Sequence, residues 1–211
     1  KKDKVLLIDS DQQGNLSTSL GIEEPDDEDN TLTDIYEYII KNDSAEGIDH
    51  SRYIRHYTKE GQAVPYVLDF VPGNMELEEL TLKITFVSCD RELLLKTFID
   101  SVEDIYDYVI IDCGPTIGAL TINALAAADD VIIPTDPEKL SFKGIQKLLS
   151  TISTVKRKKN KKLKVAGILF TKLDTRTVLH KEFKTFTEES YGEQVHIFDF
   201  YIPRSVKAAE S

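Results

Sequence analysis

The sequence predicts an α/β fold in which a doubly wound, mostly parallel sheet carries helices on both faces. Two observations support this prediction. Apolar segments of strand length alternate along the chain with longer segments of helical periodicity. Most of the strand-like segments are continuously apolar, which is typical of parallel strands covered on both faces. In such folds the ligand lies beyond the C-terminal ends of the strands, and we expect a functional site there.

Each predicted element follows from a pattern in the sequence. Runs of apolar and β-branched residues predict strands at Val5–Ile8, Val67–Val71, Tyr108–Ile111, Val131–Ile133, Val165–Phe170 and Val195–Ile202. Apolar residues at steps of three and four predict helices at Thr33–Lys41, Asp90–Ile105, Leu120–Ala128, Ser141–Arg157 and Val178–Tyr191. The acidic stretch Glu23–Asn30 and the segment Asp43–Gln62 are expected to be exposed excursions.

The composition is that of an ordinary globular protein, with 41% hydrophobic and 30% charged residues in a chain of 211. No apolar run approaches the roughly 20 residues that span a bilayer, so we expect a cytoplasmic protein without membrane association. The spacing of two cysteines and four histidines fits neither a zinc site nor a hydrolase triad. Because the net charge is -11, DNA binding would need a local basic patch.

Acidic residues follow two of the predicted strands. Asp9 and Asp11 come directly after the first strand, and Asp112 comes directly after Tyr108–Ile111. Magnesium is held by one or two carboxylates together with phosphate oxygens, and phosphoryl transfer needs a group that orients water. We assign Asp112 to the metal and Asp11 to the water. The alternative is that all three acids cap the helices that follow the strands.

These motifs resemble those of the ParA and Soj partition ATPases, which are P-loop NTPases of the deviant Walker class. Val5–Gly21 resembles their second nucleotide motif. Tyr106–Pro115 resembles their Walker B strand, and Leu120–Asp129 resembles the helix that follows it. Asp174–Leu179 and Ile202–Lys207 look like the segments that distinguish partition members from MinD-like relatives. The chain is therefore identified as a member of this family.

The resemblance implies a DNA-partition ATPase for plasmid or chromosome segregation. Such a protein dimerises on ATP and Mg²⁺, lies on the nucleoid, and hydrolyses ATP when a ParB-like centromere-binding partner stimulates it. By position, Asp9 and Asp112 would serve the magnesium ion, and Asp9 would also contact the nucleotide. Asp11 would polarise the attacking water. Asn15 and Asn123 would lie near nucleotide or dimer contacts.

The resemblance also implies a surface that binds DNA without sequence preference. It maps to Arg176, Arg204 and Lys207, whose phosphate contacts would be salt-sensitive. The run at residues 156–164 is denser in positive charge, with seven basic residues in nine positions. That run is a second candidate for DNA contact, although such runs are more often solvated helix ends.

The phosphate-binding motif G-x-x-x-x-G-K-[ST] does not occur in the 211 residues. We therefore expect residues 1–211 to be a single nucleotide-binding domain truncated at both ends, with the loop upstream. One alternative is a non-catalytic DNA-binding or scaffold relative that has lost the loop. Another is a membrane-positioning, MinD-like ATPase. Gln12 and Gly114 also stand where the family commonly carries proline.

Overall fold

The computed structural model describes residues 2–58, 66–87, 90–137, 141–174 and 176–204. Within it the chain divides into two compact units. Unit 1 is Lys1–Ala127 and unit 2 is Ala128–Ser211. Each unit has its own sheet, and the two are described separately below. The expectation of a single domain stays a prediction.

Unit 1 is built on a four-stranded sheet with the order β2-β3-β1-β4. Its strands are β1 (Asp3–Ser10), β2 (Arg55–Tyr57), β3 (Tyr66–Val71) and β4 (Tyr108–Cys113). β1 pairs in parallel with β3 on one side and with β4 on the other. The short strand β2 runs antiparallel to β3 at the edge. Three parallel strands therefore end at one edge of this sheet.

The helices of unit 1 contribute much of its core. They are α1 (Asn15–Ser19), α2 (Leu32–Asn42), α3 (His50–Tyr53), α4 (Glu76–Thr85), α5 (Leu94–Asp100) and α6 (Ala119–Ala127), with a 3-10 turn at Pro25–Asp27. Leu6 and Ile8 of β1 are fully buried in this core, where they share one cluster with residues of α2, α4, α5 and α6. A capping box starts α2, because the side chains of Thr31 and Asp34 each accept a backbone hydrogen bond there.

Unit 2 contains a three-stranded parallel sheet with the order β5-β6-β7. Its elements are β5 (Asp130–Thr135), α7 (Ser141–Lys158), β6 (Lys164–Leu173), α8 (Val178–Tyr191) and β7 (Ile197–Pro203). Phe170 of β6 meets Phe183 of α8 edge to face, with ring centroids 6.0 Å apart. Both rings are buried, so α8 packs on the sheet through this contact.

The predicted α/β class with mostly parallel strands is confirmed, and each predicted strand and helix has a counterpart. The predicted helix Asp90–Ile105 is shorter, because only Leu94–Asp100 is helical and turns follow it. The segment Asp43–Gln62 was wrongly expected to be exposed throughout. Its described part contains α3 and β2 and buries Ile48 and Tyr53 in the core. Within the described residues, no helix has the length and apolarity to cross a bilayer.

Candidate functional site

The acidic strand ends meet as the sequence predicts. Asp9 of β1 is the register partner of Asp112 of β4. The loop after β3 also lies close to Asp9, because a Cβ atom on Gly73 would lie 2.3 Å from the Asp9 carbonyl oxygen. A Cβ atom on Gly114, after β4, would lie 2.7 Å from Oδ1 of Asp11. The ends of β3, β1 and β4 therefore form one site in unit 1.

Asp9 is fully buried, and hydrogen bonds hold its carboxylate in place. Its Oδ2 accepts from the backbone N–H of Ser17 at 2.8 Å and from the Ser17 hydroxyl at 2.7 Å. The N–H of Gly73 donates to the same hydroxyl oxygen at 3.0 Å. Ser17 therefore ties β1, α1 and the loop after β3 together, with the Asp9 carboxylate at the centre.

Asp11 lies in the turn that leads from β1 into α1. Its Oδ1 accepts a hydrogen bond from the N–H of Gln13 at 3.2 Å, and its carbonyl oxygen accepts from Gly14 at 3.1 Å. Gly14 has a φ of 59° and is packed against Pro25, which requires glycine at this position. Among the described residues nothing donates to Oδ2 of Asp11, which leaves this oxygen available to a water molecule.

Asp112 is exposed at the end of β4. Its pKa is raised above the usual carboxyl value, first by loss of surrounding water and then by the negative charges of Asp9 and Asp11. A bound cation would reverse the part of this shift that comes from the neighbouring carboxylates. The site therefore concentrates negative charge at a carboxylate that a ligand can reach.

The donor set fits a magnesium ion that arrives with a phosphate ligand. Among the described residues, no group of three or more His, Cys, Asp or Glu side chains could hold a metal ion by itself. Magnesium does not need such a cage, because it keeps several waters and binds one or two carboxylates plus phosphate oxygens. Asp112 can supply such an oxygen, whereas Oδ2 of Asp9 is occupied by Ser17. The prediction that Asp9 contacts the metal and the nucleotide stays a prediction.

Unit 1 also contains two buried hydroxyls, one on β1 and one on α2. The hydroxyls of Ser10 and Tyr36 are buried, and within the described residues neither has a hydrogen-bond partner. Burial raises the pKa of the Cys113 thiol to about 12, and the charges of Asp112 and Asp11 add to the effect. A raised pKa favours the protonated thiol over the reactive thiolate.

The two predicted asparagines have different surroundings. Asn15 is exposed as the first residue of α1. Asn123 is buried, and its Oδ1 accepts from the N–H of Leu95 at 3.2 Å. Its Nδ2 donates to the carbonyl oxygens of Arg91 and Ala119 at 2.9 and 3.0 Å. Asn123 therefore joins α5 to α6, and the nucleotide or dimer role of either asparagine stays a prediction.

The residues predicted to bind DNA belong to unit 2. Arg176 is exposed, and its guanidinium makes a two-point contact with Asp174 at 2.9 and 2.8 Å. This hydrogen bonding lowers the pKa of Asp174 well below its usual range. Arg204 is exposed and follows β7, where its N–H donates to the Leu173 carbonyl oxygen at 3.4 Å. Lys207 lies outside the described residues.

Sequence reasoning missed the groups that position the acids. Ser17 stands eight residues after Asp9, within the same motif, and a small hydroxyl residue at that distance was a usable signal. Gly73 follows the apolar strand β3, and the Pro72-Gly73 pair marks the third strand end of the site. The end of β3 carries no acidic residue, so the sequence did not indicate that it belongs to the site.

Comparisons with known proteins agree with the fold and show the family. A family model described as an AAA domain matches residues 1–165. Sporulation initiation inhibitor protein Soj of Bacillus subtilis is 35% identical over 99% of this chain and 75% of its own length. Chromosome-partitioning ATPase Soj of Treponema pallidum is also 35% identical, over 99% of this chain and 74% of its own length.

A solved structure also has a similar fold. Cobyrinic Acid a,c-diamide synthase from Mycobacterium smegmatis, with bound ADP and magnesium, superposes with a TM-score of 0.82 at 30% identity. The match covers 96% of this chain and 75% of that chain. The fold and the acidic strand ends thus define a protein with the α/β architecture of the P-loop ATPases. Within that class, the chain belongs to the Soj/ParA family of partition ATPases.

Proposed function

We propose that this chain is the nucleotide-binding part of a DNA-partition ATPase that hydrolyses ATP at the strand ends of unit 1. The observation that carries the proposal is the convergence of Asp9, Asp11 and Asp112 from two neighbouring parallel strands. Their surroundings differ, since Asp9 is buried and hydrogen-bonded while Asp112 is exposed. Different surroundings suit three carboxylates to three roles.

Asp9 anchors the site, because its hydrogen bonds with Ser17 set the position of the turn that carries Asp11. Asp11 accepts a hydrogen bond from the attacking water through Oδ2 and orients it toward the terminal phosphate. Asp112 holds magnesium, directly or through a coordinated water. When bound with ATP, magnesium would neutralise phosphate charge. The motif whose amides and lysine cradle the phosphates of P-loop ATPases does not occur in the 211 residues.

The cellular role that we propose is partition of a plasmid or chromosome. The relationship to the chromosome-partitioning ATPase of Treponema pallidum supports this role. In the proposed cycle, two copies dimerise around ATP and magnesium and bind nucleoid DNA through Arg176, Arg204 and Lys207. A ParB-like partner then stimulates hydrolysis, and the DNA is released. The proposed setting is the cytoplasm.

Substitution of Asp11 tests the hydrolytic part of this proposal in the natural full-length protein. Asp11→Ala should reduce ATP turnover by about 100-fold or more, since a positioned base contributes about 10²–10⁴-fold. ATP affinity should change by less than about threefold, because Asp11 is assigned to the water and not to the phosphates. Asp104→Ala is the matched control, because this exposed acid precedes β4 and lies at the other end of that strand.

The two measurements separate the competing functions. Turnover of Asp11→Ala that equals that of Asp104→Ala would remove Asp11 from the reaction. If the wild-type protein binds DNA but neither binds nor hydrolyses ATP, the non-catalytic DNA-binding alternative replaces the ATPase proposal.

A further inference from the structure

Unit 2 contains a dense positive patch that the proposed ATPase site does not use. We call residues 156–164 the polybasic turn, which contains seven lysine or arginine residues in nine positions. It connects the last turn of α7, which ends at Lys158, to β6, which begins at Lys164. The net charge of the whole chain is -11, so the polybasic turn is a positively charged patch on an acidic protein.

Hydrogen bonds and a buried side chain fix the backbone of the polybasic turn. The side-chain amide of Asn160 donates to the Ala128 carbonyl oxygen at 2.6 Å and accepts from the N–H of Lys162 at 3.2 Å. Leu163 is fully buried and donates its N–H to the Asn160 carbonyl oxygen. The backbone of the turn is therefore ordered before a ligand binds, so binding requires little further loss of backbone entropy.

The lysines of the turn surround an open cleft. Lys156, Lys161, Lys162 and Lys164 line it, together with Asp129 and Asp130, and its volume is about 490 Å³. In the part of the chain that the structure describes, none of these four lysines forms a salt bridge. Their charge is therefore available to an anionic ligand, whereas the guanidinium of Arg176 already contacts Asp174.

The chemistry of the patch fits a phosphate polymer better than a lipid surface. Membrane-surface segments combine basic residues with apolar side chains that enter the bilayer. The apolar residue of the polybasic turn, Leu163, is buried in the core of unit 2 and cannot insert. Closely spaced ammonium groups can neutralise the phosphates of a nucleic acid backbone and release its counterions.

The polybasic turn is distant from the arginines that the proposed function uses. It leads into β6 at Lys164, whereas Arg204 hydrogen-bonds to Leu173 at the far end of the same strand. A strand of 10 residues spans about 30 Å. The two basic surfaces therefore lie at opposite ends of the sheet of unit 2, and phosphates bound at one end are not those bound at the other.

We propose that the polybasic turn is a second phosphate-binding surface for nucleic acid, separate from Arg176 and Arg204. The proposal goes beyond the proposed function, which requires a single DNA surface and does not depend on this turn. A protein with two such surfaces can contact more of one DNA molecule or hold two segments at once. Both arrangements steepen the salt dependence of binding.

The test is the charge-reversed variant Lys161→Glu with Lys162→Glu in the natural full-length protein. Its affinity for a random-sequence DNA duplex is measured by fluorescence anisotropy over a series of salt concentrations. We expect the affinity to fall by about tenfold or more. The plot of log affinity against log salt should become less steep by about two, because each of the two lost phosphate contacts contributes about 0.9 to the slope. Thermal melting of each variant shows whether it is folded.

The matched control is Lys41→Glu with Lys147→Glu, which changes the net charge equally at exposed lysines outside the turn. Its affinity should stay within about threefold of wild type, because only long-range repulsion changes. If the charge-reversed variant Lys161→Glu with Lys162→Glu does not fold, Lys161→Ala with Lys162→Ala provides the same test of the slope. An unchanged slope in the folded variant would overturn the proposal.

Two further experiments distinguish this proposal from a DNA surface at Arg204 and from binding to a lipid surface. If Arg204→Glu weakens DNA binding while the reversed turn matches the Lys41 and Lys147 control, the turn is not a DNA surface and the Arg204 assignment stands. If only the reversed turn weakens binding, the turn is confirmed and the Arg204 assignment fails. Binding of the wild type to vesicles of equal parts phosphatidylcholine and phosphatidylserine, without binding to the duplex, would also overturn it.

Discussion

Ser17→Ala removes the hydroxyl that joins Asp9 at the end of β1 to Gly73 in the loop after β3. The Asp9 carboxylate loses a hydrogen bond of 2.7 Å, and the N–H of Gly73 loses an acceptor at 3.0 Å. Asp9 and Ser17 are both fully buried, so water cannot replace these bonds without local opening. The substitution deletes only one atom from the side chain, which separates hydrogen bonding from packing.

The expected loss of stability follows from the two broken contacts. A hydrogen bond to a charged group contributes about 1.5–3 kcal/mol, and an orphaned buried donor costs about 1–3 kcal/mol. We expect a decrease in the free energy of unfolding of about 3 kcal/mol, since the two values overlap in part. For a chain of this size that corresponds to a decrease in Tm of roughly 6–12 °C.

Chemical denaturation followed by circular dichroism measures this change directly. Ser19→Ala is the matched control in the same helix, because its hydroxyl donates to the Asn15 carbonyl oxygen in an exposed position. The control should cost less than about 0.5 kcal/mol. Ser17→Thr keeps the hydroxyl and should retain most of the stability. Equal losses for Ser17→Ala and Ser19→Ala would refute the central position that we assign to Ser17.

Two further predictions concern Asp112 and Asn123. The folded protein raises the pKa of Asp112, so its contribution to stability is lost as pH rises through that pKa, and Asp112→Asn should remove the loss. We expect a gain of about 0.5 kcal/mol at neutral pH after discounting for solvent. This gain should shrink toward pH of about 4 in a series of thermal melts, and a constant gain would contradict it. Asn123→Ala removes three hydrogen bonds of a buried side chain, one to Leu95 in α5, one to Arg91 before α5 and one to Ala119 within α6. It should cost about 2 kcal/mol in urea denaturation. A loss below about 0.5 kcal/mol would contradict this reading of Asn123.

The strand ends were predictable because one physical rule connects sequence to site. Continuous apolar runs indicate parallel strands, and parallel strands place their C-terminal ends at one edge. Asp9 and Asp112 each follow such a run and so belong at that edge, where the structure makes β1 and β4 neighbours. Local patterns were sufficient for this part of the fold.

Helix α4 shows a pattern that was readable but was missed. Leu77, Leu80 and Ile84 are buried at steps of three and four along this helix. An amphipathic pattern of this length deserved a helix prediction.

Other features depend on contacts that span the sequence and leave no local pattern. Asp69 accepts hydrogen bonds from Tyr106 at 2.8 Å and contacts His56 at 2.5 Å, which helps to hold the edge strand β2. The partner of Asp9 is a hydroxyl on a short helix, and the Leu95 and Arg91 partners of Asn123 lie about 30 residues away. Burial and hydrogen bonding decide these positions, and both are properties of the folded chain.

The magnesium dependence of ATP turnover tests the central claim most directly. It is measured for the wild-type full-length protein and for Asp112→Asn over a range of magnesium concentrations. Asparagine keeps the shape of the side chain but loses the charge, so half-maximal turnover should require about tenfold more magnesium or higher. Turnover by Asp112→Asn with the magnesium dependence of the wild type would contradict a magnesium–ATP site at these strand ends.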